Sequence, residues 1–158
     1  MDGLENSELQ RAIKVAAGSL SRRMHTCREL SDKLKKKKFS DSVIDEVIDT
    51  FVQNGVMDDR NFADVYIVNA ALVNYKGEFR IKQELMQKGV ARSIIDAALN
   101  ECEVDFEKAL CDYLNIKLRG AEVGDYAERE KLKQHLARRG YSPGDIRRGI
   151  IRYETERE

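Results

Sequence analysis

Two adjacent carboxylates, Asp58 and Asp59, are the first residues of this 158-residue chain to invite a catalytic reading, because paired acids can divide acid and base work. They directly precede an apolar-periodic stretch that starts at Phe62. An aspartate there caps a helix and places negative charge on its first turn, so capping is the preferred reading. The three cysteines, Cys27, Cys102 and Cys111, are odd in number and far apart, which fits small side chains in a reducing compartment. His25 has only Cys27 nearby, and His135 has no Cys, Asp or Glu at ligand spacing. With no Gly-rich phosphate loop or nucleophile motif in the sequence, a non-enzyme without metal or cofactor is expected.

The residues left to act are the cations. Lys plus Arg and Asp plus Glu both number 28, yet the signs are segregated. Arg11 to Lys38 is basic, including Lys14, Arg22, Arg23, Lys33 and the run Lys35, Lys36, Lys37, Lys38, against only Glu29 and Asp32. From Asp41 to Asp64 the sign inverts, and Arg129 to Arg152 is basic again. Such blocks act at contact range, within a Debye length of roughly 8 to 10 Å, and point to a polar or anionic partner.

The elements that must carry these cations are helices. One proline, 7% aromatic residues and a charged fraction of 35% match a helix-rich protein whose charged side chains coat the outer faces. No apolar run is long enough to span a bilayer, and the acidic start Met1-Asp2-Gly3-Leu4-Glu5 has no h-region. A cytoplasmic protein is expected.

The helices repeat every 51 residues: Leu30, Ile81 and Leu132 align, as do Leu34, Leu85 and Leu136. Phe39, Val90 and Tyr141 follow, then Ile44, Ile95 and Ile146, then Ile48, Leu99 and Ile150. Within each unit these positions give one helix face, a break, and a second helix face. A third amphipathic stretch lies upstream in each: Leu9 to Leu20, Phe62 to Val73, and Phe106 to Leu118. The fold expected is all-α, three tandem three-helix repeats over 1–55, 56–103 and 104–158, forming an elongated, curved array of helices crossing near right angles.

Gly89 and Gly140 stand where a helix ends in the left-handed conformation, and Ser142-Pro143 starts the next helix. Ser42 with Asp45, and Ser93 with Asp96, read as the equivalent starts in the other units. Lys38 occupies the glycine position of the first unit, a misfit of about 1 kcal/mol if the backbone is left-handed there.

Three stretches resemble a known family: Asp58-Asp59-Arg60-Asn61-Phe62-Ala63-Asp64-Val65-Tyr66, then Gly77-Glu78-Phe79-Arg80-Ile81-Lys82-Gln83-Glu84-Leu85 to Lys88-Gly89-Val90, then Arg138-Arg139-Gly140-Tyr141-Ser142. With Glu29-Leu30 to Lys33-Leu34, they are similar to the RecX family of bacterial recombination regulators. Lys38 departs from the family's glycine and Thr26 from its usual serine. The resemblance implies a non-enzymatic protein, a monomer, that lies along the groove of the RecA filament on single-stranded DNA. It would restrain RecA's ATPase, strand exchange and coprotease activities, with the DNA as an auxiliary contact and no membrane involved.

Positions 51 apart share a scaffold role, so differences between them report on something else. Asp45 and Asp96 become Arg147, Glu46 and Ala97 become Arg148, and Thr50 and Glu101 become Arg152. Arg148 and Arg152 are i, i+4 neighbours, which would form one exposed basic ridge beside the Ile146, Ile150 and Tyr153 stripe. Lys36, Gln87 and Arg138 correspond, as do Lys37, Lys88 and Arg139, and the latter trio also suits a helix C-terminus. Arg80 with Glu84 reads as a surface ion pair, leaving Arg80 and Lys82 as secondary contacts. The candidate binding residues are these cations together with Arg22 and Arg23. An alternative is direct DNA binding through a helix-turn-helix in the third repeat; the acidic Asp45, Glu46, Asp49, Asp96 and Glu101 disfavour it in the first two. A third reading is an adaptor for an unrelated acidic partner.

Overall fold

The computed structural model describes residues 2–158, and among these the regular structure is nine α-helices and no strand. They are α1 (Asp2–Arg22), α2 (Cys27–Lys36), α3 (Asp41–Gln53), α4 (Asp59–Leu72), α5 (Glu78–Gln87), α6 (Arg92–Glu101), α7 (Phe106–Leu118), α8 (Tyr126–Arg138) and α9 (Pro143–Arg157). The expected all-helical fold of three three-helix units is therefore present. α1 starts well before the Leu9 that periodicity gave, since no proline stands in its way.

Capping fixes most helix starts. Thr26 and Glu29 close a reciprocal capping box on α2, each side chain taking the other's amide. Asp58 accepts from the amides of Arg60 and Asn61 at 2.9 and 3.2 Å, the capping role expected of it. Asp105, Asp125 and Ser142 cap α7, α8 and α9 in the same way, with Pro143 in the first turn of α9.

The second helix of each unit ends in one motif, used three times. The amides of Phe39, Val90 and Tyr141 reach back to the carbonyls of Leu34, Leu85 and Leu136 at 3.2, 3.1 and 3.2 Å. The residue before each is left-handed: Gly89 at φ 88°, Gly140 at φ 99°, and Lys38 at φ 67°. This six-to-one closure needs positive φ, so Lys38 adopts the strained conformation that glycine takes freely. The same closure corrects the serine starts. It places the third helix two residues earlier than Ser42 and Ser93 imply, because Ser40, not Ser42, precedes α3 and Ala91, not Ser93, precedes α6. Ser42 and Ser93 sit inside the first turns, and Ser40 makes no capping bond from its side chain.

The chain packs as two compact units. One runs through Ala63 and includes Leu85–Ile95; the other comprises Asp64–Glu84 and Asp96–Glu158. The first unit's core joins Ala12 and Ala16 of α1, Leu30 and Leu34 of α2, and Val43, Ile44 and Val47 of α3. The second unit's core joins Leu110 and Leu114 of α7, Leu132 and Leu136 of α8, and Ile146, Ile150 and Tyr153 of α9. Each fully buried leucine stabilises its unit by about 2 kcal/mol. Of the aligned apolar positions, Phe39, Ile48 and Leu99 are half-buried and the rest are buried.

Candidate binding surface

Each unit contains a joint at which the turn after one second helix meets the start of the preceding repeat's second helix. In the first unit the Thr26 hydroxyl donates to the Lys88 carbonyl at 2.6 Å, and Arg28 donates to the Gln87 carbonyl. In the second unit the Gly77 amide donates to the Arg139 carbonyl at 2.8 Å, and the Phe79 amide to the Gly140 carbonyl at 3.1 Å. In the second unit helix-start amides, which lack intrahelical partners, thus find acceptors in the neighbouring turn, whereas in the first unit side chains are the donors.

These joints decide what Lys88 and Arg139 do. Arg139 donates to the carbonyls of Asn74 and Tyr75, and its guanidinium lies 4.6 Å from the Tyr113 ring centre. It is a half-buried anchor of the second unit. Lys88 supplies its carbonyl to Thr26 and brings its ammonium to 3.8 Å from Glu29. Lys37 lies exposed at the end of α2.

Glu84 is a hub that spacing alone half revealed. Arg80 pairs with it at 3.1 Å as expected, but Lys76 also binds it at 3.0 Å and the Tyr66 hydroxyl donates to it. Burial pushes its carboxyl up, and the three donors outweigh this, so it stays below the usual glutamate range. Lys82 bonds Asp96 at 2.7 Å, tying α5 to α6. Arg80 and Lys82 are therefore engaged within the fold.

The α9 arginines separate. Ile146, Ile150 and Tyr153 are buried as the stripe required. Arg148 reaches Glu107 and Asp145, both at 3.1 Å, while Arg152 binds Glu156 at 2.8 Å and is half-buried. The single basic ridge expected from the spacing is thus largely neutralised by carboxylates. Arg147 and Arg138 are exposed and have no ion-pair partner among the described residues.

In the first unit Arg22, Arg23 and Lys36 line one depression between α1 and α2, and Arg22 and Lys37 share an adjoining one. Lys14 and Lys33 belong to the same lining and were not singled out from the sequence. The signal was there: Lys14 and Arg22 share a helix face at i, i+8, and Lys33 precedes Lys36 and Lys37 by three and four residues.

The polar residues considered for chemistry have structural employment. Asp59 accepts the Cys27 amide at 2.9 Å. Burial and Asp59 push the Cys27 thiol up to about 11, and burial and Glu156 do the same to Cys111, so both stay protonated and unreactive. His135 shares a 2.7 Å hydrogen bond with the Tyr113 hydroxyl; burial, then Lys117, Arg139 and Arg138, hold it below the usual imidazole range. Among the described residues no group of three His, Cys, Asp or Glu side chains could hold a metal, and no helix is long and apolar enough to cross a membrane.

Residues 12–51, 58–99 and 116–150 match, in that order, the family models for the first, second and third three-helix domains of RecX. The chain is 30% identical to the Regulatory protein RecX of Chlorobium phaeobacteroides over 144 residues, which are 91% of this chain and 94% of that protein. It is 35% identical to the Regulatory protein RecX of Halorhodospira halophila over 129 residues, 81% of this chain and 79% of the relative. The crystal structure of RecX from Lactobacillus salivarius shares the fold with a TM-score of 0.79 at 24% identity, covering 95% of this chain and 99% of that one. Three domains in order and relatives aligned over most of both chains lead to one assignment: the chain belongs to the RecX family.

Proposed function

We propose that this chain is a non-enzymatic regulator, working in the cytoplasm as a monomer, that lies along the groove of the RecA filament on single-stranded DNA. There it restrains RecA's ATPase, strand exchange and coprotease activities, with repeats divided at 55/56 and 103/104. The observation that carries this reading is the ordered match of all three repeats to RecX domains, joined by relatives named as regulatory proteins. The surface supports it at residue level. Arg138 and Arg147 are exposed and unpaired among the described residues; the scaffold elsewhere carries Lys36 and Gln87 at the first position and the acids Asp45 and Asp96 at the second. Direct groove reading by the third repeat is less well supported, because Arg148 and Arg152 already hold carboxylates.

The test is RecA ATPase on single-stranded DNA, titrated with the wild-type chain and with Arg138→Glu/Arg147→Glu. The wild type should inhibit. The double variant should need at least about tenfold more protein for half-inhibition, roughly 1.4 kcal/mol of binding, while its melting temperature stays within a few degrees. A wild-type chain without effect on RecA removes this reading; a double variant as potent as wild type removes the two arginines from it.

A further inference from the structure

We propose that the α1–α2 groove of the first unit is a binding site for the phosphate backbone of single-stranded DNA, and that it works without RecA. The inference rests on the regulator reading for its partner class and adds a site to it. Two depressions of about 520 and 280 Å³ share Ser19, Arg22 and Lys33, so they form one continuous groove. Six cations line it, against the carboxylates of Glu29 and Asp32. Glu29 is occupied: it takes the Thr26 amide and lies 3.6 Å from Arg23 and 3.8 Å from Lys88. That leaves Lys14, Arg22, Lys33, Lys36 and Lys37 facing Asp32, with no ion-pair partner for these five among the described residues.

The fold does not require this convergence of like charge. At the positions 51 residues on, Lys14 becomes Val65, Arg22 becomes Val73, Lys33 becomes Glu84 and Lys36 becomes Gln87. The second repeat carries apolar, acidic or neutral side chains at those four places, while Lys37 keeps its charge as Lys88 and the third repeat keeps cations at Arg138 and Arg139. Cations crowded together without counter-charge repel one another and await an anion. The opposite sign is concentrated on α3, where Asp41, Asp45, Glu46 and Asp49 are all exposed. A polyanion is therefore drawn to one face of this unit and repelled from another.

The lining also says what kind of polyanion. Its only ring is that of His25, buried and hydrogen-bonded through Nδ1 to the Arg23 carbonyl at 3.0 Å, so no surface is offered for a base to stack on. Flexible lysines predominate over bidentate arginines, which suits phosphates taken as point charges. A strand bearing a charge on every nucleotide matches a row of unpaired cations better than an acidic protein patch would, whose carboxylates would be scattered. Recognition through phosphates alone is indifferent to base and steeply salt-dependent.

Gly18 supplies the clean probe. It lies in the groove wall, and a Cβ built on it meets nothing within 4 Å, so a side chain fits without disturbing the helix. The experiment measures fluorescence anisotropy of labelled dT30 and a mixed-sequence 30-mer against the full chain without RecA, at about 50 and 200 mM salt. With about four phosphates engaged, affinity should fall about 50-fold across that range and differ little between the two oligonucleotides. Gly18→Glu and Lys33→Glu/Lys36→Glu should each bind at least tenfold more weakly, with Gly18→Gln near wild type and all melting curves cooperative. Absence of wild-type binding at low salt, full binding by Gly18→Glu, or a strong base preference would each overturn the site. Variants that keep DNA affinity but lose RecA inhibition would assign the groove to a protein surface and equally overturn it. RecA ATPase is scored separately: a wild type that binds DNA here yet leaves RecA untouched removes the regulator reading and leaves this site standing.

Discussion

The two joints occupy equivalent positions, 51 residues apart, and solve one problem with different chemistry. Thr26 and Gly77 correspond, as do Lys88 and Arg139. In the first joint a fully buried side-chain hydroxyl meets the carbonyl, and that hydroxyl also accepts the Glu29 amide at 3.1 Å. In the second the backbone amide of Gly77 does so, and the absent side chain lets two main chains approach. A Cβ at Gly77 would lie 2.2 Å from the carbonyl carbon of Gly140 and the amide of Tyr141. Arg139 and the Tyr141 hydroxyl then add bonds to the Tyr75 carbonyl, at 3.1 and 2.8 Å. The difference teaches that the repeat preserves an acceptor carbonyl in the turn and a donor at the helix start. The group that donates is free to vary.

The comparison breaks most visibly at Gly77. Gly77→Ala drives a methyl group into backbone that cannot rotate away, so it should destabilise by about 3 kcal/mol, read as a shift in urea midpoint. If the loss is under about 1 kcal/mol, the close approach is not what holds the second joint. A smaller effect is expected in the first joint. Thr26→Val keeps shape but strands the Lys88 carbonyl and the Glu29 amide, so about 2 kcal/mol should be lost, while Thr26→Ser should stay within about 0.5 kcal/mol. A loss for Ser with none for Val would mean that the methyl, not the hydroxyl, matters. The smallest change has the opposite sign. Lys38→Gly relieves a left-handed lysine at φ 67° and should stabilise by up to about 1 kcal/mol in thermal melts. A neutral or unfavourable result would show that the lysine side chain offsets the backbone strain.

Much of the fold was legible because helix packing writes a period into sequence. Leu30, Leu34 and their partners in the other repeats recur at fixed spacing, since each unit must bury the same face against the same neighbours. The left-handed turn was legible too, because Gly89 and Gly140 answer a steric demand of one residue and its immediate neighbours. The serine starts misled because Ser142, in the same frame, points to Ser40 and Ala91 rather than Ser42 and Ser93. Similar composition nearby outweighed strict register.

The surface was only partly legible. Spacing identified Arg147, Arg148 and Arg152 as a group, yet it could not see Glu107, 41 residues away from Arg148, or separate the two paired arginines from Arg147, which has no ion-pair partner among the described residues. Likewise the block of cations from Arg11 to Lys38 was plain, but which of them share a groove depends on how α1 lies against α2. Sequence by itself determined the helices, their period, their buried faces and the sign of charge along the chain, because these follow from local sterics and from apolar burial on a regular lattice. Tertiary structure alone decided which cations are paired, which are anchors, as Arg139 is, and which converge unpaired. Ion pairing and desolvation are set at a few ångströms between residues far apart in the chain, and no one-dimensional spacing encodes that distance.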